Sequence, residues 1–144
     1  MKDYTQNLGY AIKRYTALAN QSVEEVLRPY GIGRTQWYIL FHIQAAGTLP
    51  QRRLQTLLEI ESATLTSLIA ALVKKDLIQQ QPHTADKRSK QLVLTERGQR
   101  LWDSMPDPID VVKTKALRGI SAKAIADARK VIDQAISNLE RKDT

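Results

Sequence analysis

A mainly α-helical fold with one small β-hairpin is predicted by three observations. Apolar residues recur at three-and-four spacing through most of the chain; a stretch near residue 92 alternates with a period of two; and basic residues cluster between that stretch and an earlier strand-like one. A helix followed by a hairpin with a cationic tip is the order of a winged helix-turn-helix. The long helices outside that unit are then left for dimerisation.

From Leu8 to Leu27 apolar side chains stand at Leu8, Ile12, Tyr15, Leu18, Ala19, Val23, Val26 and Leu27, which predicts a long amphipathic helix. Pro29 disfavours helical geometry at Arg28, and Gly31 and Gly33 complete the break. A second helix runs roughly from Arg34 to Gln44 on a stripe of Trp37, Leu40, Phe41 and Ile43 or Gln44, and Ala46-Gly47 ends it. Pro50 suits the first turn of a third helix, roughly Pro50 to Leu58, where its missing N–H costs nothing. The fourth helix, Ser62 to Lys75, buries Leu65, Leu68, Ile69 and Leu72. Its outward face is Ala63, Thr66, Ser67 and Ala70, with Ser62 and Thr64 near the N-terminal end.

Lys75-Asp76 supplies the turn into a strand that opens at Leu77-Ile78 and ends near Pro82. In its partner, Leu92 and Leu94 alternate with Gln91 and Val93, the pattern of a half-buried strand. Thr95 caps a fifth helix, which Pro106 and Pro108 kink or split around Met105 before it resumes toward Leu117. Gly119 closes it. Ser121 then caps a last helix on the stripe Ile125, Ala128, Ile132, Ala135, Ile136 and Leu139.

At 144 residues the chain suits one domain, and a chain of mostly long helices completes its core by pairing. No apolar run approaches the roughly 20 residues needed to cross a bilayer. The N-terminus Met-Lys-Asp-Tyr-Thr-Gln-Asn is polar where a secretory signal needs an apolar centre, which predicts a cytoplasmic chain. Without cysteine there is neither a disulfide nor a thiolate metal site, and His83 has no second histidine at ligand spacing, so no metal or cofactor is expected. No Ser-His-Asp set, phosphate-binding glycine loop or carboxylate pair suggests an enzyme.

The net charge of +7 favours a polyanionic partner, and its distribution is informative. Residues 1–49 carry 5 basic and 3 acidic side chains, residues 50–100 carry 9 and 5, and residues 101–144 carry 8 and 7. The excess lies in the middle, with the hairpin. At its tip, Arg88 is planar and always charged, suited to a narrow A·T-rich minor groove. Asp86 can hold that guanidinium in one pose through a charge-assisted pair; as a mere exposed ion pair the two are worth about 0–1 kcal/mol. Lys87 and Lys90 suit phosphates. On the fourth helix Ser62, Thr64, Thr66 and Ser67 can donate or accept at base edges, and Ala63 or a threonine methyl can meet a thymine methyl. Gln51 and Arg52 at the start of the third helix suit phosphate, helped by the helix N-terminus.

Gln36-Trp37-Tyr38-Ile39-Leu40, the span from Ile60 to Leu77-Ile78, Asp86-Lys87-Arg88-Ser89 and Leu94-Thr95-Glu96-Arg97-Gly98 occur in an order that resembles the multiple-antibiotic-resistance regulator (MarR) family of bacterial transcription factors. The resemblance spans most of the chain and implies a homodimer. Its winged helix-turn-helix would occupy about residues 34–98, with dimerisation helices at about 4–28 and 96–141. Each subunit would present its fourth helix to a major groove and its wing to the flanking minor groove of a pseudo-palindromic duplex.

The resemblance also implies a repressor released by a small aromatic or phenolic anion, held in a cavity near Trp37, Tyr38 and His42, with Tyr4, Tyr10, Arg14 and Tyr15 of the first helix nearby and none of the four singled out. The chain departs from the family pattern in several places. Ser67, Ala70 and Ala71 stand where charged residues, arginine above all, are frequent; Gly33 replaces a hydroxyl cap, Gln55 a small alanine, Asp76 a turn glycine and Gln80 a frequent arginine. Those losses keep a second reading open, a dimeric protein-interaction module with the same fold and weak or no specific DNA binding.

Overall fold

The computed structural model describes residues 1–82 and 90–141. The first helix, α1, spans Leu8–Leu27, with the Asn7 side chain accepting from the Tyr10 N–H at its start. A short 3₁₀ turn, Arg28–Tyr30, carries the chain through Pro29 to Gly31, whose φ of 67° is the left-handed geometry a glycine adopts without strain. Helix α2, Arg34–Ala46, runs two residues past the expected end. Gly33 stands at its N-cap without a side-chain bond, and the Gln36 Oε1 accepts from the Gly33 N–H at 3.1 Å, the half of a capping box that needs no cap side chain.

Pro50 corrects one expectation. It does not open the third helix but precedes it, extended at φ −62° and ψ 134°, and with Leu49 forms a strand, β1 (Leu49–Pro50). Proline is acceptable there because an edge strand need not donate on its outer side. Helix α3 follows as Gln51–Leu58, and α4 as Ser62–Lys74, the two bent by 120° across their break, the angle of a helix-turn-helix. Glu59 makes the turn at φ 51°, a left-handed conformation unusual for a side chain that is not glycine.

Strand β2 (Ile78–Pro82) and strand β3 (Lys90–Leu94) form the antiparallel hairpin, with Ile78 opposite Leu94 and Pro82 opposite Lys90. β1 pairs with β3 on its other edge, Leu49 opposite Leu92, giving the order β1-β3-β2. Ile78 is buried and every later residue of β2 is exposed, while β3 keeps Leu92, opposite Gln80, in the core. Asp76 makes the turn before it at φ 60°, taking the place a glycine would fill.

The core lies where the helix-turn-helix meets the hairpin base. Leu27, Ile39, Leu40, Ile43, Leu54, Ile69, Leu72, Ile78 and Leu92 are fully buried, drawn from α1 through β3. The prolines divide the fifth helix as expected, into α5 (Glu96–Ser104) and α6 (Pro108–Ala116). The Asp107 carboxylate accepts from the Ile109 and Asp110 N–H groups at the start of α6, which packs on α1 with Val112 buried between them. Helix α7, Ala122–Glu140, starts at its Ser121 cap and contains no buried residue. Among the described residues no single helix is long and apolar enough to cross a membrane.

Candidate nucleic-acid interface

Helix α4 turns Leu65, Ile69 and Leu72 inward, and the helical period then brings Ser62, Ala63, Thr64, Thr66, Ser67 and Ala70 to the exposed side. All six are exposed. The Thr66 hydroxyl donates to the Ser62 carbonyl at 2.9 Å, so its proton is spent on the helix backbone and its methyl and lone pairs remain for a ligand.

Three elements meet beside this face. Gln51 and Arg52 from the start of α3, Ser62 and Thr66 from α4, and Gln80 and Lys90 from the hairpin stem line one open depression of about 400 Å³. Lys90 and Arg52 are exposed cations on its two sides. The Gln80 side-chain amide donates to the Gln51 Oε1 at 2.8 Å, bridging the stem of the hairpin to the first residue of α3. Polar and cationic groups around a protruding helix of small side chains make a surface that fits a polyanionic groove.

The structure thus gathers Gln51, Arg52, Ser62, Thr66 and Lys90 around one depression and leaves Ala63, Thr64 and Ser67 exposed on the same helix. Asp86, Lys87 and Arg88 at the hairpin tip lie outside the described residues, as does His83. Gln80, read in the sequence only as a missing cation, acquires a contact that no sequence signal carries, because its partner is 29 positions away.

Trp37, Tyr38 and His42 are not brought to one cavity. Trp37 is buried, stacked on Phe41 and Trp102 at centroid distances of 5.5 and 5.6 Å. It lines a space of about 190 Å³ with those two rings, Met105, Pro106 and Asp107. Tyr38 lines a different groove of about 220 Å³ between α1 and α6, with Tyr15, Ile109, Val112 and Lys113. His42 stands edge-on to Phe41 at 5.2 Å and lines neither. The Trp37 and Tyr38 rings meet edge to face at 5.2 Å, each lining a different space on its other side. No group of three His, Asp or Glu side chains among the described residues is arranged to hold a metal.

Residues 32–90, from the end of the α1–α2 turn to the first residue of β3, match the sequence profile of the MarR family. Over 141 residues the chain is 26% identical to YwoH of Bacillus subtilis (strain 168), described as an uncharacterised HTH-type transcriptional regulator, covering 98% of this chain and 96% of that one. Among solved structures, a mutant MarR from E. coli complexed with operator DNA superposes with a TM-score of 0.82 at 20% identity, over 93% of this chain and 99% of that one. A MarR-family regulator from Rhodococcus sp. RHA1 gives 0.78 at 18% identity, over 94% and 96% of the two chains. One from Methanosarcina mazei Go1 gives 0.77 at 22%, over 91% and 94%. Residues 32–90 thus carry the sequence profile of the MarR family, and the fold agrees with that of solved MarR-family regulators along nearly the whole chain.

Proposed function

We propose that this protein is a homodimeric DNA-binding transcriptional regulator, a repressor released by a small-molecule effector. The observation that carries the reading is the exposed outer face of α4, with Arg52 and Lys90 beside it around one depression. In this reading Ser62, Ala63, Thr64, Thr66 and Ser67 meet base edges in a major groove. Gln51, Arg52, Lys87 and Lys90 hold phosphates, and Arg88, oriented by Asp86, enters the flanking minor groove. The operator DNA bound by the E. coli MarR structure supports the same docking for this chain. Residues of about 34–98 then form the reading unit, and about 4–28 with 96–141 the dimerising one.

For the effector, the α1–α6 groove supports a small aromatic or phenolic anion. Lys113 supplies a cation, Tyr15 and Tyr38 supply hydroxyls, and Ile109 and Val112 an apolar wall. The groove joins an element of the reading unit, α2, to two of the dimerising unit. A ligand preferring one spacing of the two α4 helices would shift the population away from the spacing that DNA requires.

Fluorescence anisotropy on duplexes selected from a randomised library, for wild type, Arg88→Ala and Lys90→Ala across a salt series, tests the DNA reading. Selective binding should weaken in Arg88→Ala, and Lys90→Ala should lower the salt slope by about one per half-site. Equal affinity for wild type and Arg88→Ala would remove the wing from the mechanism. Failure to select any duplex would favour the interaction-module reading, which the absence of Arg, Lys, Asn and Gln between Ser62 and Val73 supports.

A further inference from the structure

The Gln51–Gln80 bridge stands out because it crosses the sheet, joining the first residue after β1 to a residue of β2 on the far side of β3. Gln51 is the first residue of α3, half-buried, with its amide at the edge of the depression. Gln80 is the third residue of β2, exposed, opposite the buried Leu92 of β3. The Gln80 Nε2 donates and the Gln51 Oε1 accepts, at 2.8 Å. An amide side chain has one acceptor end and one donor end. With the acceptor engaged by Gln80, the donor end of Gln51 is the one left for a ligand, beside Arg52 and Lys90. A phosphate oxygen only accepts, so this orientation of the Gln51 amide is the one that binds it.

We infer that Gln80 is a positioning residue, which orients the Gln51 amide so that its N–H groups face a DNA phosphate and fixes the hairpin stem against α3. This rests on the DNA-binding reading above and adds a role to it: a neutral residue acts on affinity through a second neutral residue. The chemistry sets it apart from a cationic contact. A lysine or arginine at a phosphate releases counterions and steepens the salt dependence, whereas an amide that orients another amide changes affinity at constant salt slope.

The test is a double-mutant cycle on a selected duplex, read as dissociation constants across a salt series, with Gln80→Met, Gln51→Met and the pair. Methionine keeps the length and loses the donor and acceptor. The net worth of one hydrogen bond predicts about a fivefold loss for each single variant per half-site, with little further loss in the double and the wild-type salt slope in all three. A duplex carrying one uncharged methylphosphonate at the contacted phosphate should weaken wild type and leave Gln80→Met unaffected. Gln80→Arg should instead steepen the slope by about one per half-site. Gln80 is exposed and Gln51 half-buried, and equal melting temperatures of the variants would confirm an intact fold. Undiminished affinity of Gln80→Met, additive losses in the double variant, or a reduced slope would overturn the positioning role while leaving DNA binding in place. Wild type that selects no duplex would overturn both.

Discussion

Thr95 and Gly98 carry much of the order at the base of the hairpin. The Thr95 hydroxyl accepts from the Gly98 N–H at 2.9 Å and donates to the Asp76 carbonyl at 2.6 Å, while its N–H donates to the Leu77 carbonyl at 3.1 Å. One residue thus caps α5 and pins it to the turn that opens β2. Gly98 is buried because the Leu77 backbone runs across it, and a Cβ there would overlap the Leu77 carbonyl oxygen. Gly98→Ala is therefore expected to lose about 3 kcal/mol or more of stability, since backbone offers no rotamer by which to yield. A urea titration checks it, and a loss under about 1 kcal/mol would mean that α5 can move away from β2. The Leu94-Thr95-Glu96-Arg97-Gly98 stretch was legible as a family pattern. Its physical reason, a close approach between segments some 20 residues apart, needed the fold.

At the scale of elements, the helix-turn-helix is set by its turn as much as by its stripes. Glu59 at φ 51° strains the link between α3 and α4. Glu59→Gly should stabilise the protein by about 1 kcal/mol, because glycine adopts this geometry freely, and thermal and urea melts would register the gain. An unchanged or lowered midpoint would place the compensating interactions on the Glu59 side chain. Helix periodicity predicted α1, α2, α4 and α7 closely because each carries three turns or more of repeated signal. β1 escaped because two residues have no period, and its existence depends on Leu92 and Gln91 lying opposite. In the candidate site, the outward residues of α4 followed from the same period that identified its buried ones. Trp37 and Tyr38 touch edge to face, yet they line two different spaces and His42 lines neither, a division that helical spacing does not record.

For the molecule as a whole, the informative feature is how much apolar surface one chain leaves uncovered. In α7 Val131, Ile136 and Leu139 are 54%, 48% and 88% exposed, and in α1 Leu8, Tyr15 and Leu18 are more than half exposed. A helix of 19 residues without one buried side chain has little to hold it in a monomer, since most helical stability in proteins comes from packing of an apolar face. In the dimer we propose, these stripes face a second copy. Ile136→Asp is then expected to convert the dimer to monomer at micromolar concentration, seen by light scattering, and to weaken operator binding by at least tenfold, because two half-sites are no longer joined. A monomeric wild type, or an Ile136→Asp dimer of unchanged mass, would remove α7 from the interface.

The sequence by itself determined the helices, their inward and outward faces, the hairpin and the central placement of positive charge, because these depend on local periodicity, caps and composition. The tertiary structure decided what depends on residues distant in the chain: the third strand against Leu92, the depression where α3, α4 and the hairpin stem meet, the bond from Gln80 to Gln51, and the division of Trp37 and Tyr38 between two cavities. A hydrophobic pattern records which side of an element is buried. It does not record which other element buries it, and the candidate interface is built from such pairings.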